Sequence, residues 1–256
     1  MKKLSQLMIM AFSAGLLAFS AGRPARADNL HYTLLPGSTV TPYLGAMPIG
    51  PPEPLTGSFD WIRVDTGTTV IGFDATHLDF RSNSFLITLN TTVNDLFTAV
   101  FPDSCLTYFG ETVDLTGLGA PVGEMLSSDD NGCYSGPPEQ PHSLSYPDVS
   151  ISPVGGGPFV ARLSIIAGLD SDGDGVPDDS DQCPNTAAGA VVDAQGCSID
   201  QLVPCAGPVS GGTWKNHGQY VSAVARTAQE FLAAGLITED EKEAIVEAAA
   251  QSNCGF

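Results

Sequence analysis

Six aspartates fall within residues 170–181, and this run restricts the structure of the chain more than any other stretch. Two carboxylates about 4 Å apart repel by on the order of 1 kcal/mol in water, and by more once partly buried. Six of them cannot be drawn together without a compensating cation. The spacing names the kind of cation. Asp170, Asp172 and Asp174 hold positions 1, 3 and 5 of a twelve-residue loop. Gly175 stands at position 6, where such a loop must turn sharply, and Val176 at position 7 can offer its carbonyl. Asp178 and Asp181 fill positions 9 and 12. Ca2+ takes six to eight hard oxygens, and this order wraps the chain around one ion. A merely solvated acidic linker would have no reason to keep the odd-position spacing together with a glycine at position 6. Ca2+ is therefore the expected cofactor.

The flanks exclude a helix–loop–helix calcium hand. Residues 164–169 read as strand, and Pro177 lies inside the loop. Downstream come Cys183-Pro184-Asn185-Thr186, then Gly189, then Val192-Asp193-Ala194-Gln195-Gly196-Cys197. This stretch resembles the thrombospondin type 3 repeat in the form common in bacterial cell-envelope proteins. That form reads D-x-D-x-D-G-x-x-D-x-x-D-x-C-P-x-T, followed by V-D-x-x-G-C. The match runs from Asp170 to Cys197, roughly a tenth of the chain. The resemblance implies Ca2+ held by Asp170, Asp172, Asp174, the Val176 carbonyl, Asp178 and Asp181. It also implies a Cys183–Cys197 bridge. Family members often carry tandem repeats that share ions. One complete unit is present here, and Asp179 and Asp193 are the candidates for a second ion.

The N-terminus reads as a signal peptide over residues 1–27. Lys2 and Lys3 precede an apolar run at residues 7–19, and Ala25-Arg26-Ala27 fits small-x-small cleavage. The run is shorter than the roughly 20 apolar residues a membrane helix needs. Removing it takes away four bases and no acids, leaving six bases against 29 acids and a net charge of −23. Such a chain repels phosphate backbones and anionic lipid, so nucleic acid is not an expected partner, whereas divalent cations are. The mature part contains no transmembrane segment by the same length criterion. The expected location is secreted: extracellular, at the cell surface or in the periplasm.

All six cysteines lie beyond residue 27. In an oxidising compartment three disulfides are the default, with 15 pairings open. Pairing sequence neighbours suggests Cys105–Cys133, Cys183–Cys197 and Cys205–Cys254, each inside one segment. Zinc is the rival use of these cysteines, and no C-x-x-C pair supports it.

The segments follow from composition. Residues 28–168 are punctuated by Gly and Pro and carry short β-rich runs at 59–64, 69–73, 84–89, 96–101 and 159–166. Many short strands between turns predict a mostly β fold with an N-terminal β-sandwich. Residues 169–203 have too little apolar periodicity to build a core and form the Asp-rich, calcium-bound irregular connector. Residues 204–256 hold a Pro/Gly linker and then helices. Tyr220, Val221, Val224, Ala228, Phe231 and Leu232 fall on one helical face. Gly235 is placed to cap that helix, and Thr238 with Glu241 forms a capping box for the next, whose inward residues are Ile245, Val246 and Ala249. The pair predicts a small αα-hairpin stapled by Cys205–Cys254.

Catalytic signatures are missing. His31, His77, His142 and His217 are scattered, and no nucleophile elbow, zinc-protease motif or phosphate loop occurs. The Trp214-Lys215-Asn216-His217-Gly218 module reads as packing and helix capping rather than as a ligand site. The expected function is an exported calcium-binding structural or adhesive protein and not an enzyme. In it Ca2+ rigidifies a connector between a β-domain and a helical module, with a cell-surface or matrix polysaccharide or protein as partner. The alternative is a secreted carbohydrate-active hydrolase or carbohydrate-binding protein, whose two carboxylates would stand about 5–10 Å apart.

Overall fold

A computed structural model describes residues 29–64, 71–89, 97–100, 107–108, 110–116, 124–128, 132–136, 141–153 and 158–256. The proposed signal peptide and Cys105 lie outside the described residues. The strands are β1 (Asn29–Leu34), β2 (Thr39–Leu44), β3 (Met47–Pro48), β4 (Glu53–Pro54), β5 (Thr56–Val64), β6 (Ile71–Arg81) and β7 (Leu86–Leu89). They continue with β8 (Phe97–Val100), β9 (Thr107–Tyr108), β10 (Gly110–Thr116), β11 (Glu124–Ser128), β12 (Cys133–Ser135), β13 (Ser143–Pro153) and β14 (Phe159–Leu169). Three helices follow: α1 (Ile199–Leu202), α2 (His217–Ala233) and α3 (Glu239–Gln251). The chain is mostly β with helices at its C-terminal end.

All the strands belong to one antiparallel sheet, where the sequence suggested two packed sheets. The long strands β13 and β14 explain the difference. They pair with each other, and each changes its other neighbour part-way along. β14 pairs with β2 over Phe159 to Ser164 and with β1 over Ala167 to Leu169. β13 pairs with β12 near Ser143 and with β11 from Val149 onward. Pairing therefore passes from β14 through β1, β5, β6, β7, β10 and β11 back to β13, and the sheet curls round onto itself. Pro147 falls where the β13–β14 register shifts between Tyr146 and Val149, a bulge at which a residue without an N–H is tolerated.

Alternation sets the core. In β14, Ala161, Leu163, Ile165 and Ala167 are buried, every second residue. Across β1, β5 and β6, Tyr32 stacks on Phe59 with ring centroids 5.4 Å apart, and Phe59 meets Phe80 edge-on at 5.9 Å. Trp61 packs against Tyr32 at 5.1 Å. Burying each such side chain contributes about 1.5–3 kcal/mol. The Tyr32 hydroxyl donates to the Pro141 carbonyl at 2.7 Å, tying β1 to the approach of β13.

A second core gathers Ile199, Val203, Tyr220, Ala223, Val224, Ala228, Phe231, Ile237 and Ala249, with α2 packed on α3. The caps follow the sequence. Asn216 accepts from the Gln219 N–H at the start of α2, and Thr238 and Glu241 form a reciprocal capping box on α3. After α2, the Gly235 N–H donates to Leu232 O and the Leu236 N–H to Phe231 O, which closes the helix end. Trp214 packs edge-on against Tyr220 and donates from Nε1 to Pro204 O at 2.9 Å. Cys205–Cys254 ties the linker to the residues just after α3. Among the described residues no helix is long and apolar enough to cross a membrane.

Candidate metal centre

The aspartate loop starts where the sheet stops. Leu169 ends β14, and the next N–H, that of Asp170, donates to His31 O in β1 at 2.9 Å. The Asp178 N–H returns to Leu169 O at 2.7 Å. A Cβ at Gly168 would collide with the Pro177 side chain, so the loop lies folded back against the strand. Asp170 is fully buried at this junction. Its Oδ1 accepts from the Gly173 N–H at 2.8 Å and its Oδ2 from the Gly175 N–H at 2.9 Å. Gly175 has φ +93°, the sharp turn expected at position 6.

Asp170, Asp172 and Asp174 converge, with one ligand oxygen from each lying within 4.8 Å of the others. Oxygens on opposite sides of a Ca2+ bound at 2.3–2.6 Å stand up to about 5 Å apart, so this spacing fits one such ion. Asp174 gives Oδ1 to the Val176 N–H at 2.8 Å, whereas its Oδ2 is shielded from solvent with no hydrogen-bond partner. A buried carboxylate oxygen without a donor is costly unless a cation compensates it. Asp172 accepts from the Thr186 N–H at 2.8 Å, which joins the loop to its return limb.

The other sequence-derived ligands are placed differently. Asp181 Oδ1 accepts from the Cys183 N–H at 2.7 Å. Its carboxylate lies against Gly196, where any Cβ would collide with Asp181 and come within 3.3 Å of Asp174 Oδ2. Only glycine fits there, and Gly196 adopts φ +77° besides. Asp178 is exposed and accepts from Ser171, at 2.7 Å from its N–H and 2.6 Å from its hydroxyl, instead of turning in with the first three. Position 9 of calcium loops often serves through a water molecule, which suits that orientation. The Val176 N–H is spent on Asp174. Of the two residues considered for a second ion, Asp179 is exposed, and Asp193 accepts from the N–H groups of Gln195 and Cys197 to shape the return turn.

Burial pushes the Asp170 carboxyl above the usual range against the pull of the Gly175 and Gly173 N–H groups, with Asp174 adding to the rise. Burial also raises Asp181, and the charges of Asp172, Asp174 and Asp178 act in the same direction. Protons and a metal ion compete for such oxygens.

Two of the expected disulfides are present. Cys183–Cys197 and Cys205–Cys254 span 14 and 49 positions. The third, Cys105–Cys133, involves a cysteine outside the described residues. The helical side is fastened to the return limb by polar contacts that spacing did not announce. The Gln201 amide donates to Cys183 O at 2.7 Å, and the Thr186 hydroxyl meets Gln201 Oε1 at 2.9 Å and Gly196 O at 3.1 Å. The sequence signal for this was Ser198-x-x-Gln201, a capping box at α1. Histidines that read as scattered also come together. His31 and His77 both contact Asp60. Comparison with protein-family models, curated proteins and solved structures finds no match.

Proposed function

We propose that the chain is an exported calcium-binding structural protein. In this reading a Ca2+ ion in the aspartate loop rigidifies the connector between an N-terminal β-sandwich-like domain and a C-terminal αα-hairpin. The observation that carries it is the convergence of Asp170, Asp172 and Asp174 around a buried Asp174 Oδ2 that has no donor. The thrombospondin type 3 pattern supplies the choice of Ca2+, and hard oxygen donors suit that ion. The signal-peptide pattern and two disulfides support export. The acidic surface and the lack of catalytic signatures support an adhesive or structural role at a cell surface or in a matrix, with polysaccharide or protein as partner.

The loop is fixed to β1 on one side and, through Thr186 of its return limb, to Gln201 of α1 on the other. Calcium bound there stiffens the joint between them and does not open a helix pair in the manner of a sensor. Extracellular calcium modules bind at about 10⁻⁴–10⁻³ M. At a hundredfold excess over Kd the ion would add about 2.7 kcal/mol to stability. Calorimetric titration and thermal melting of the purified protein test this. A rise in melting temperature with calcium, lost in Asp174→Asn, is expected. No heat and no shift would overturn the proposal.

A further inference from the structure

His31 in β1 meets the aspartate loop at two points. Its backbone carbonyl accepts from the Asp170 N–H at 2.9 Å. Its ring lies against Gly173, position 4 of the loop. A Cβ at Gly173 would stand 3.8 Å from His31 Cδ2 and 4.0 Å from Nε2, ordinary van der Waals range. Gly173 is the residue whose N–H donates to Asp170 Oδ1 at 2.8 Å. One residue of β1 therefore bounds both ends of the turn that carries Asp170 and Asp172. Leu30 and Tyr32 are buried, so alternation turns the His31 ring between them out of the core. The ring is oriented from its other side. His31 lies opposite Asp60 in β5, and Phe59 and Trp61 point into the core, so the Asp60 carboxylate comes out on the same face as the imidazole. His31 Nδ1 contacts Asp60 Oδ1. An ionised carboxylate only accepts, so Nδ1 is the donor and the opposite ring edge, Cδ2 and Nε2, faces Gly173. Asp60 is held in turn from β6, where His77 Nδ1 meets its Oδ2 at 3.0 Å.

We infer that His31 is a positioning residue for calcium in the aspartate loop, with Asp60 as the partner that orients it. The inference rests on the calcium reading of that loop. Calcium loops tune their affinity through the rigidity of the site as well as through ligand charge. Held at position 1 by the His31 carbonyl and buttressed at position 4 by its ring, the turn keeps Asp170 and Asp172 in place before the ion arrives. Less ordering then remains to be done on binding, which raises affinity without any new ligand. The β-domain thus sets how tightly the connector binds its ion, through side chains that never touch the metal.

Calorimetric calcium titration of the full chain tests this. His31→Asn keeps a nitrogen donor for Asp60 but has no ring edge to meet Gly173. Its calcium affinity should fall about tenfold, the size of loss that follows when outer-shell support of a metal site is removed. Asp60→Leu should weaken binding in the same direction. Asp60→Asn, which returns an acceptor oxygen to His31 Nδ1, should recover most of that loss. Ile87→Ala opens a cavity in the sheet core at β7 and should lower the melting temperature without weakening calcium binding. An unchanged affinity in His31→Asn, no recovery in Asp60→Asn, or an equal loss in Ile87→Ala would each overturn the inference while calcium binding by the parent chain stands. A parent chain that gives no calcium heat would overturn the calcium reading itself, and this inference with it.

Discussion

Among the described residues up to Leu169, 21 buried hydrophobic side chains form one core, whereas among residues 170–198 Cys197 is the one buried hydrophobic. In the connector the buried polar side chains are Asp170, Thr186 and Ser198. Each is bound to backbone or side-chain partners, as Asp170 is to Gly173 and Gly175. Both regions must offset a backbone entropy of about 1–2 kcal/mol per ordered residue. The sheet does so with apolar area and ladder hydrogen bonds, which persist in any aqueous medium. The connector does so with carboxylate-to-amide bonds, a disulfide and, as proposed, an ion. The stability of the connector therefore depends on redox state through Cys183–Cys197 and, as proposed, on calcium.

That contrast can be broken most forcefully from the sheet side. Trp61→Ala removes a fully buried ring and should cost about 3–5 kcal/mol. The remaining tryptophan, Trp214, sits in the helical core and reports on that end alone. Far-UV circular dichroism should show the sheet melting earlier while the Trp214 fluorescence midpoint holds. A common early midpoint would mean that the two cores unfold as one.

Replacing Cys183 and Cys197 together by serine comes next. Opening a bridge that spans 14 positions should cost about 3 kcal/mol in the chain-entropy model. Because Gly196 is then no longer held against Asp181 and Asp174, calcium affinity should fall as well. Denaturant midpoints with and without calcium measure both effects, and an unchanged calcium response would separate the bridge from the metal centre.

The smallest effect comes from Glu53 on the sheet. Hydrogen bonds from the Ser84 and Ser82 side chains, with the Ser84 N–H, hold its carboxyl below the usual range. A carboxyl lowered in the folded state adds stability above its unfolded value and loses it as pH falls through the folded one. Glu53→Gln should lower stability slightly near neutrality, with the difference from the parent shrinking as pH falls below about 4 and vanishing once the parent carboxyl is protonated. A difference that persisted in acid, where the parent carboxyl is protonated, would point to packing instead of charge.

What was legible in the sequence was local. The Thr238–Glu241 box, Gly235 and two of the three neighbour-paired bridges each involve residues a few positions apart or a covalent closure, and each sits in the structure as its pattern implied, while of the spaced aspartates Asp170, Asp172 and Asp174 converge. The strand runs at 59–64 and 159–166 lie within β5 and β14. β13 is absent from the sequence-derived strand runs and carries Pro147 and Pro153, yet a bulge accommodates the first and the strand ends on the second. The curl of the sheet depends on which strands exchange neighbours, and no short window encodes that. The same holds for His31, Asp60 and His77, which are joined by register alone. Within the aspartate loop, spacing assigned six ligands, but it did not reveal that Ser171 holds Asp178 outward.

The two disulfides also decide how the molecule carries a load. A pull applied beyond Cys254 passes directly to Cys205, so α2 and α3 lie on a side loop that bears no tension. It next crosses from Cys197 to Cys183 and skips the chain between them. What remains in line is the aspartate loop and the end of β14. Reduction of Cys183–Cys197 would release about 45 Å of slack at roughly 3.4 Å per residue. The connector is thus a short tether with a covalent stop, and its in-line segment is the one that the proposed calcium ion would stiffen.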